Sequence, residues 1–121
     1  MNILKKTQFG KQVKSEEGYS SHKCVHIQDI SKIPHNPGVY LFKNKQNIII
    51  YVGKAIDLKK RVSSYFKNSK NLAIKTQKLV ENIDVIDYIL TDNEEEALIK
   101  ENELIKKYQP KYNIVLRDDK S

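Results

Sequence analysis

The chain has 121 residues, 39% of them hydrophobic, which fits one domain with a modest core and excludes a disordered polar chain. Its formal net charge of +7 and pI of about 9.4 point to an anionic partner, nucleic acid first, with solubility as the plain alternative. No apolar run is long enough to span a bilayer, residues 1–6 make a poor signal peptide, and the single cysteine, Cys24, rules out an intrachain disulfide. A cytoplasmic protein that does not engage a membrane is therefore expected.

Residues 1–30 are polar and without a sustained period, so they read as an N-terminal arm, flexible around Gly10, Gly18 and the Ser20-Ser21 pair. Residues 31–121 read as the folded domain. His22, Cys24 and His26 alternate and would share one side of a strand. As soft-metal ligands they lack a fourth member and match no closed zinc spacing, so a plain polar segment is the preferred reading.

Asp29 to Ile33 reads as a short helical turn ended by Pro34 and Pro37. Gly38 to Phe42 and Ile48 to Val52 read as two strands joined by the turn-like stretch Asn44 to Asn47. If Lys43 and Ile48 close that hairpin, Tyr40 lies opposite Tyr51 on one face. Gly53 ends the second strand, and Asp57 can cap a helix on which Leu58, Val62, Tyr65 and Phe66 recur at helical spacing. Arg61 and Tyr65 lie one turn apart on it.

Asn71 to about Glu81 reads as a second helix, with Leu72, Thr76, Leu79 and Val80 inward. Ile83 to Leu90 reads as a third strand, and Thr91-x-x-Glu94 as a capping box that starts the last helix, which stops at about Tyr108, before Pro110. The expected fold is a small α/β domain, a three-stranded antiparallel sheet flanked by helices.

Within that last helix, Glu101 has Ala97 and Leu98 four and three positions before it and Leu104 and Ile105 three and four after. The offsets place a carboxylate in the middle of the apolar stripe. That position is costly unless the group is paired, hydrogen-bonded or bound to a cation. A glutamate held by a lysine or tyrosine is the plain reading. The wider set Tyr40, Tyr51, Lys54, Arg61, Tyr65, Glu101 and Asn113 supplies what phosphodiester hydrolysis needs. Arg61 can hold a non-bridging oxygen in fork geometry, and Lys54 adds positive charge. One carboxylate with waters and phosphate oxygens can hold a hard divalent cation, and a tyrosine beside cations can have its pKa lowered.

Gly38-Val39-Tyr40, followed eleven positions after the tyrosine by Tyr51-Val52-Gly53, resembles the signature of the GIY-YIG endonuclease superfamily. Pro37 before it, Lys54-Ala55 after it, Leu58 through Phe66, Glu96-Ala97-Leu98, Glu101-Asn102 and Leu104 through Asn113 resemble the N-terminal nuclease domain of the UvrC excinuclease family. The resemblance covers about residues 30–121. It implies the GIY-YIG nuclease fold and roles position by position. Tyr40 matches the base that activates water and Tyr51 the phenol that tunes it, with the reverse assignment open. Lys54, Arg61 and Tyr65 match residues that orient and stabilise the phosphate. Glu101 matches the single metal ligand, and Asn113 a residue near the site. Lys59, Lys60, Lys67 and Lys70 are read as DNA-backbone contacts, with a solvated face as the alternative.

The implied activity is a metal-dependent DNA endonuclease, using one Mg²⁺ or Mn²⁺, that hydrolyses without a covalent intermediate. It would make the 3′ incision beside a lesion in double-stranded DNA during bacterial nucleotide excision repair, with UvrB, and UvrA through it, as partners. About thirty residues precede the Pro-Gly-Val-Tyr element, where family members begin close to it, and full-length members continue well past the point matching Ser121. An excised domain and a small stand-alone relative are both compatible with this. The rival readings are a stand-alone GIY-YIG nuclease of a mobile element or DNA-maintenance system, and a non-catalytic DNA-binding module.

Overall fold

In the computed structural model, which describes residues 22–67 and 69–118, four strands and four helices follow in the order β1 (His22–His26), β2 (Gly38–Lys43), β3 (Ile49–Ala55), α1 (Leu58–Lys67), α2 (Ile74–Glu81), β4 (Val85–Leu90), α3 (Glu94–Tyr108) and α4 (Lys111–Asp118). Short 3₁₀ turns occupy Ile27–Lys32 and Ser69–Asn71. The sheet is antiparallel with strand order β1-β4-β2-β3.

It therefore has four strands where three were expected. β1 lies inside the stretch read as an arm, and its alternating residues face partners on β4: Cys24 opposite Asp87, Val25 opposite Ile86. Polar residues on one face hid this strand from a hydrophobic pattern. Of the rest of the arm, residues 27–30 lie in the Ile27–Lys32 turn, and residues 1–21 lie outside the described residues.

The hairpin register also differs from the expected one. The Asn44 side chain accepts from the backbone N–H of Gln46 and Ile48 at 2.9 and 3.0 Å, and Asn47 turns the chain at φ 65°. A bulge between Phe42 and Lys43 then sets Tyr40 opposite Gly53 and Phe42 opposite Tyr51. Because side chains alternate with a period of two, this slip of two residues keeps both tyrosines on the same face. It also places the glycine under the Tyr40 ring, where a Cβ would overlap the ring's hydroxyl end.

Each face of the sheet is covered. On one, Tyr40, Phe42, Ile86 and Tyr88 pack with Leu58, Val62 and Tyr65 of α1, Leu79 of α2 and Tyr112 of α4. On the other, Val39, Leu41, Val52 and Ile89 pack with Ala97 and Leu104 of α3. Asp57 caps α1 as expected, accepting from the Lys60 N–H at 3.0 Å. That bond and the His35 ring hold its carboxyl below the usual carboxylate range. The second helix starts later than expected, at Ile74, after the Ser69–Asn71 turn.

The start of α3 is also corrected. Its cap is Asn93, whose side chain accepts from the Glu96 N–H at 2.9 Å, while the Thr91 hydroxyl donates to the Asn93 carbonyl. The capping function thus falls two residues later, where an amide oxygen reaches the free N–H groups of the first turn. α3 ends at Tyr108, with Gln109 left-handed at φ 45°. Pro110, read only as a terminator, also opens α4: its carbonyl accepts from Asn113 and Ile114. The spacing of Tyr112, Val115 and Leu116 is the helical signal for that element, and all three reach the core.

Candidate active site

Four side chains of the expected set converge because three elements meet at the β3 edge. Tyr51 projects from β3, Arg61 and Tyr65 from successive turns of α1, and Glu101 from the middle of α3. All four line one cavity of about 780 Å³, with Asn113 of α4 at its wall. Glu101 is half-buried between the buried Ala97 and Leu104, as its place on the stripe predicts. Leu98 is 44% exposed, so the stripe is narrower than the sequence spacing implied. Among the described residues that line the cavity, Glu101 is the one acidic side chain.

Tyr40 is placed differently from Tyr51. It is 1% exposed and absent from the cavity wall. Its hydroxyl lies 2.8 Å from that of Tyr65 and accepts from Arg61 Nε at 3.4 Å. The Tyr40, Phe42, Tyr51 and Tyr65 rings form one cluster, with Tyr40 and Tyr51 centroids 6.2 Å apart. Arg61 lies 5.6 Å over the Tyr65 ring.

Burial first, then the Tyr65 and Tyr51 phenols, raise the Tyr40 pKa well above that of free tyrosine, and Arg61 offsets only part of this. Tyr51 is raised by burial and Tyr65, and further by the Glu101 charge. The lowered phenol pKa expected from neighbouring cations is therefore not produced by these side chains. Arg61 is held firmly protonated by Tyr40 first, then by Tyr65 and Tyr51.

Asn113 has a role visible only in three dimensions. Among the described residues β3 is the sheet's edge strand, and the outward N–H and C=O of Val52 have no strand partner there. Asn113 Oδ1 accepts from the Val52 N–H at 2.8 Å, and its Nδ2 donates to the Val52 carbonyl at 2.9 Å. The carboxamide thus closes the edge beside Tyr51 as a neighbouring strand would.

Lys54 does not join the cluster. It projects on the α3 side of β3 and donates to Glu94 Oε2 at 3.0 Å. Glu94, read as a helix-start charge, is that partner. On α1 and the turn after it, Lys60, Lys67 and Lys70 are exposed and Lys59 half-buried.

Ser64, Asn102, Lys106 and Gln109 line the cavity without having been singled out. Asn102 adjoins Glu101 in sequence, and Lys106 lies one helical turn beyond Asn102, which is the signal that could have found them. Ser64 and Gln109 carry no such signal. The fully buried carboxylate was also missed: Asp87, 2% exposed, meets Lys43 Nζ at 2.6 Å on the α3 side of the sheet. Beside it Cys24, largely through desolvation, has its thiol pushed up to about 11.

The family model for the UvrC-like GIY-YIG domain matches residues 36–114. The UvrABC system protein C of Methanococcus maripaludis is 62% identical over 93 residues, 77% of this chain and 18% of that protein. That of Clostridioides difficile is 57% identical over 94 residues, 78% of this chain and 16% of that protein. The chain thus spans less than a fifth of the length of these relatives. The crystal structure of the GIY-YIG N-terminal endonuclease domain of UvrC from Thermotoga maritima, bound to magnesium as its catalytic divalent cation, is 44% identical with a TM-score of 0.63. That match covers 70% of this chain and 91% of that one.

Proposed function

The chain belongs to the UvrC-like GIY-YIG domain family, and from that premise we propose that it is a metal-dependent endonuclease domain making the 3′ incision beside a DNA lesion in nucleotide excision repair. The observation that carries the proposal is the convergence of Tyr51, Arg61, Tyr65 and Glu101 on one cavity. UvrB, and UvrA through it, are the partners that would deliver the lesion.

The donor set fits a hard divalent cation. A single half-buried carboxylate in a cavity with room for water and phosphate oxygens suits Mg²⁺ or Mn²⁺, which keep most of their hydration shell. Glu101 would hold the ion, which supplies Lewis-acid polarisation of the phosphoryl group when bound. The Glu101 charge raises the Tyr51 pKa. Neutralising it removes that contribution, and net positive charge beside the phenol favours the phenolate.

Of the two motif tyrosines, Tyr51 is the one that lines the cavity, and we assign it the base that takes a proton from the attacking water. This is the reverse of the assignment preferred from resemblance, and it follows from the burial of Tyr40. Tyr40 then acts through others, holding the Tyr65 hydroxyl and Arg61 Nε in place. Arg61, kept cationic by its phenol neighbours, faces the same cavity and can hold a non-bridging phosphate oxygen. Asn113 fixes the strand that carries Tyr51. Lys59, Lys60, Lys67 and Lys70 offer backbone contacts along α1 and the turn that follows it.

The test is incision of an end-labelled duplex carrying one bulky adduct, with Mg²⁺ or Mn²⁺, with and without UvrA and UvrB. A metal-dependent cut 3′ of the adduct that needs the loaders supports the repair role. Cutting without loaders identifies a stand-alone nuclease, and DNA binding with no cutting under any condition defeats the endonuclease reading.

A further inference from the structure

We propose that the corner between α3 and α4 is a second DNA-backbone contact, made by Lys106, Lys107 and Lys111, so that the strand entering the cavity is held on the α3–α4 wall as well as by α1. This rests on the endonuclease reading and adds the residues that seat the substrate.

Three observations carry it. Lys106, with Gln109 and Pro110, lines the cavity that holds Glu101, so the corner is continuous with the site. Lys106, Lys107 and Lys111 are exposed, and among the described residues none of them is ion-paired. Two of the ammonium groups are steadied by rings rather than carboxylates: Lys107 lies 5.1 Å over Tyr108, and Lys111 lies 5.4 Å over Tyr112. A ring beneath the cation limits its freedom while leaving its charge available to an anion.

The placement of Lys111 is informative on energetic grounds. Lys106 and Lys107 occupy the last turn of α3, where a cation complements the helix dipole, so helix stability alone accounts for them. Lys111 opens α4, where the dipole disfavours a cation and no acidic residue in the first turn compensates. Its position is explained by a ligand outside the helix. The three lysines flank the Gln109-Pro110 turn in sequence, and a polyanion is the partner whose charge matches a group of unpaired cations beside a phosphodiester-cleaving site.

The experiment measures binding of the full 121-residue chain to a fluorescein-labelled duplex by anisotropy, in EDTA to prevent cutting, over a series of NaCl concentrations. The triple variant Lys106→Gln/Lys107→Gln/Lys111→Gln is compared with wild type and with Lys45→Gln, a change at the hairpin turn, after matched folding is verified by circular dichroism. Each lysine that neutralises a phosphate contributes about one unit to the slope of log K against log[salt]. The triple variant should therefore lower the slope's magnitude by about 2 to 3, and Lys45→Gln should leave it unchanged. An unaltered slope in the triple variant, the same loss per charge in Lys45→Gln, or no salt-dependent binding by wild type would each overturn the proposal. Metal-dependent nicking of an adducted duplex with UvrA and UvrB present, assayed in parallel, separates the two readings. A lowered slope without wild-type nicking sinks the endonuclease reading alone, and nicking with an unaltered slope sinks the corner contact alone.

Discussion

Replacing Asn113 with alanine removes both bonds that close the β3 edge at Val52, the 2.8 Å acceptance from its N–H and the 2.9 Å donation to its carbonyl. A net intramolecular hydrogen bond stabilises by about 0.5–1.5 kcal/mol, so losing two at a half-buried site should cost about 2 kcal/mol. For a domain of this size that lowers the melting temperature by roughly 8–15 °C. Aspartate at the same position retains the acceptance but sets a carboxylate oxygen against the Val52 carbonyl. It should be no better than alanine at neutral pH, and should recover relative to alanine as acid protonates it and restores a donor. Urea denaturation gives the magnitude, and amide hydrogen exchange gives the location. Val52 should lose protection in the alanine variant, while Val39 and Leu41, buried within β2, stay protected. An unchanged urea midpoint together with unchanged exchange at Val52 would refute the edge-closing role.

Glu101→Ala should abolish metal-dependent incision with an unaltered circular dichroism spectrum; full activity at matched folding removes Glu101 from its role as the metal ligand. Gly53→Ala forces a methyl group into the ring of Tyr40, which is already fully packed. Overpacking of this kind should cost about 1–3 kcal/mol by denaturant titration, and a neutral outcome means that the ring has room to move. Burial raises the phenol pKa values of Tyr40, Tyr51 and Tyr88 above the ordinary tyrosine value of 10.0. Between that value and the higher folded-state values the unfolded chain holds fewer protons than the folded one, so stability is full below about pH 10 and falls as pH rises further. Urea midpoints measured upward from pH 8 should show the fall, and Tyr40→Phe should flatten it; an equal slope in that variant excludes Tyr40 as its source.

Local patterns carried most of the element assignments. The β-branched run before Tyr51 marks a strand, and the Leu58, Val62, Tyr65 spacing marks a helix, because side-chain periodicity follows from backbone geometry alone. The Glu101 offset marked a carboxylate facing inward for the same reason, and Glu101 does line the cavity. The misses share a different cause. β1 is held by pairing to a strand some sixty positions later, and its polar residues leave no amphipathic trace. The hairpin register turned on a bulge that strand composition does not specify, and the cap of α3 on which of two nearby side chains reached the free N–H groups.

By itself the sequence determined the α/β class, the helical placement of Arg61, Tyr65 and Glu101, and the shared face of Tyr40 and Tyr51, which a register slip of two preserves. Only the tertiary structure decided which tyrosine meets the cavity, that Lys54 turns to the opposite face, and that Asn113 serves the backbone of Val52. Those outcomes depend on which element covers which face of the sheet and on which strand is left at its edge. They are contacts between segments distant in sequence, and no local period encodes them.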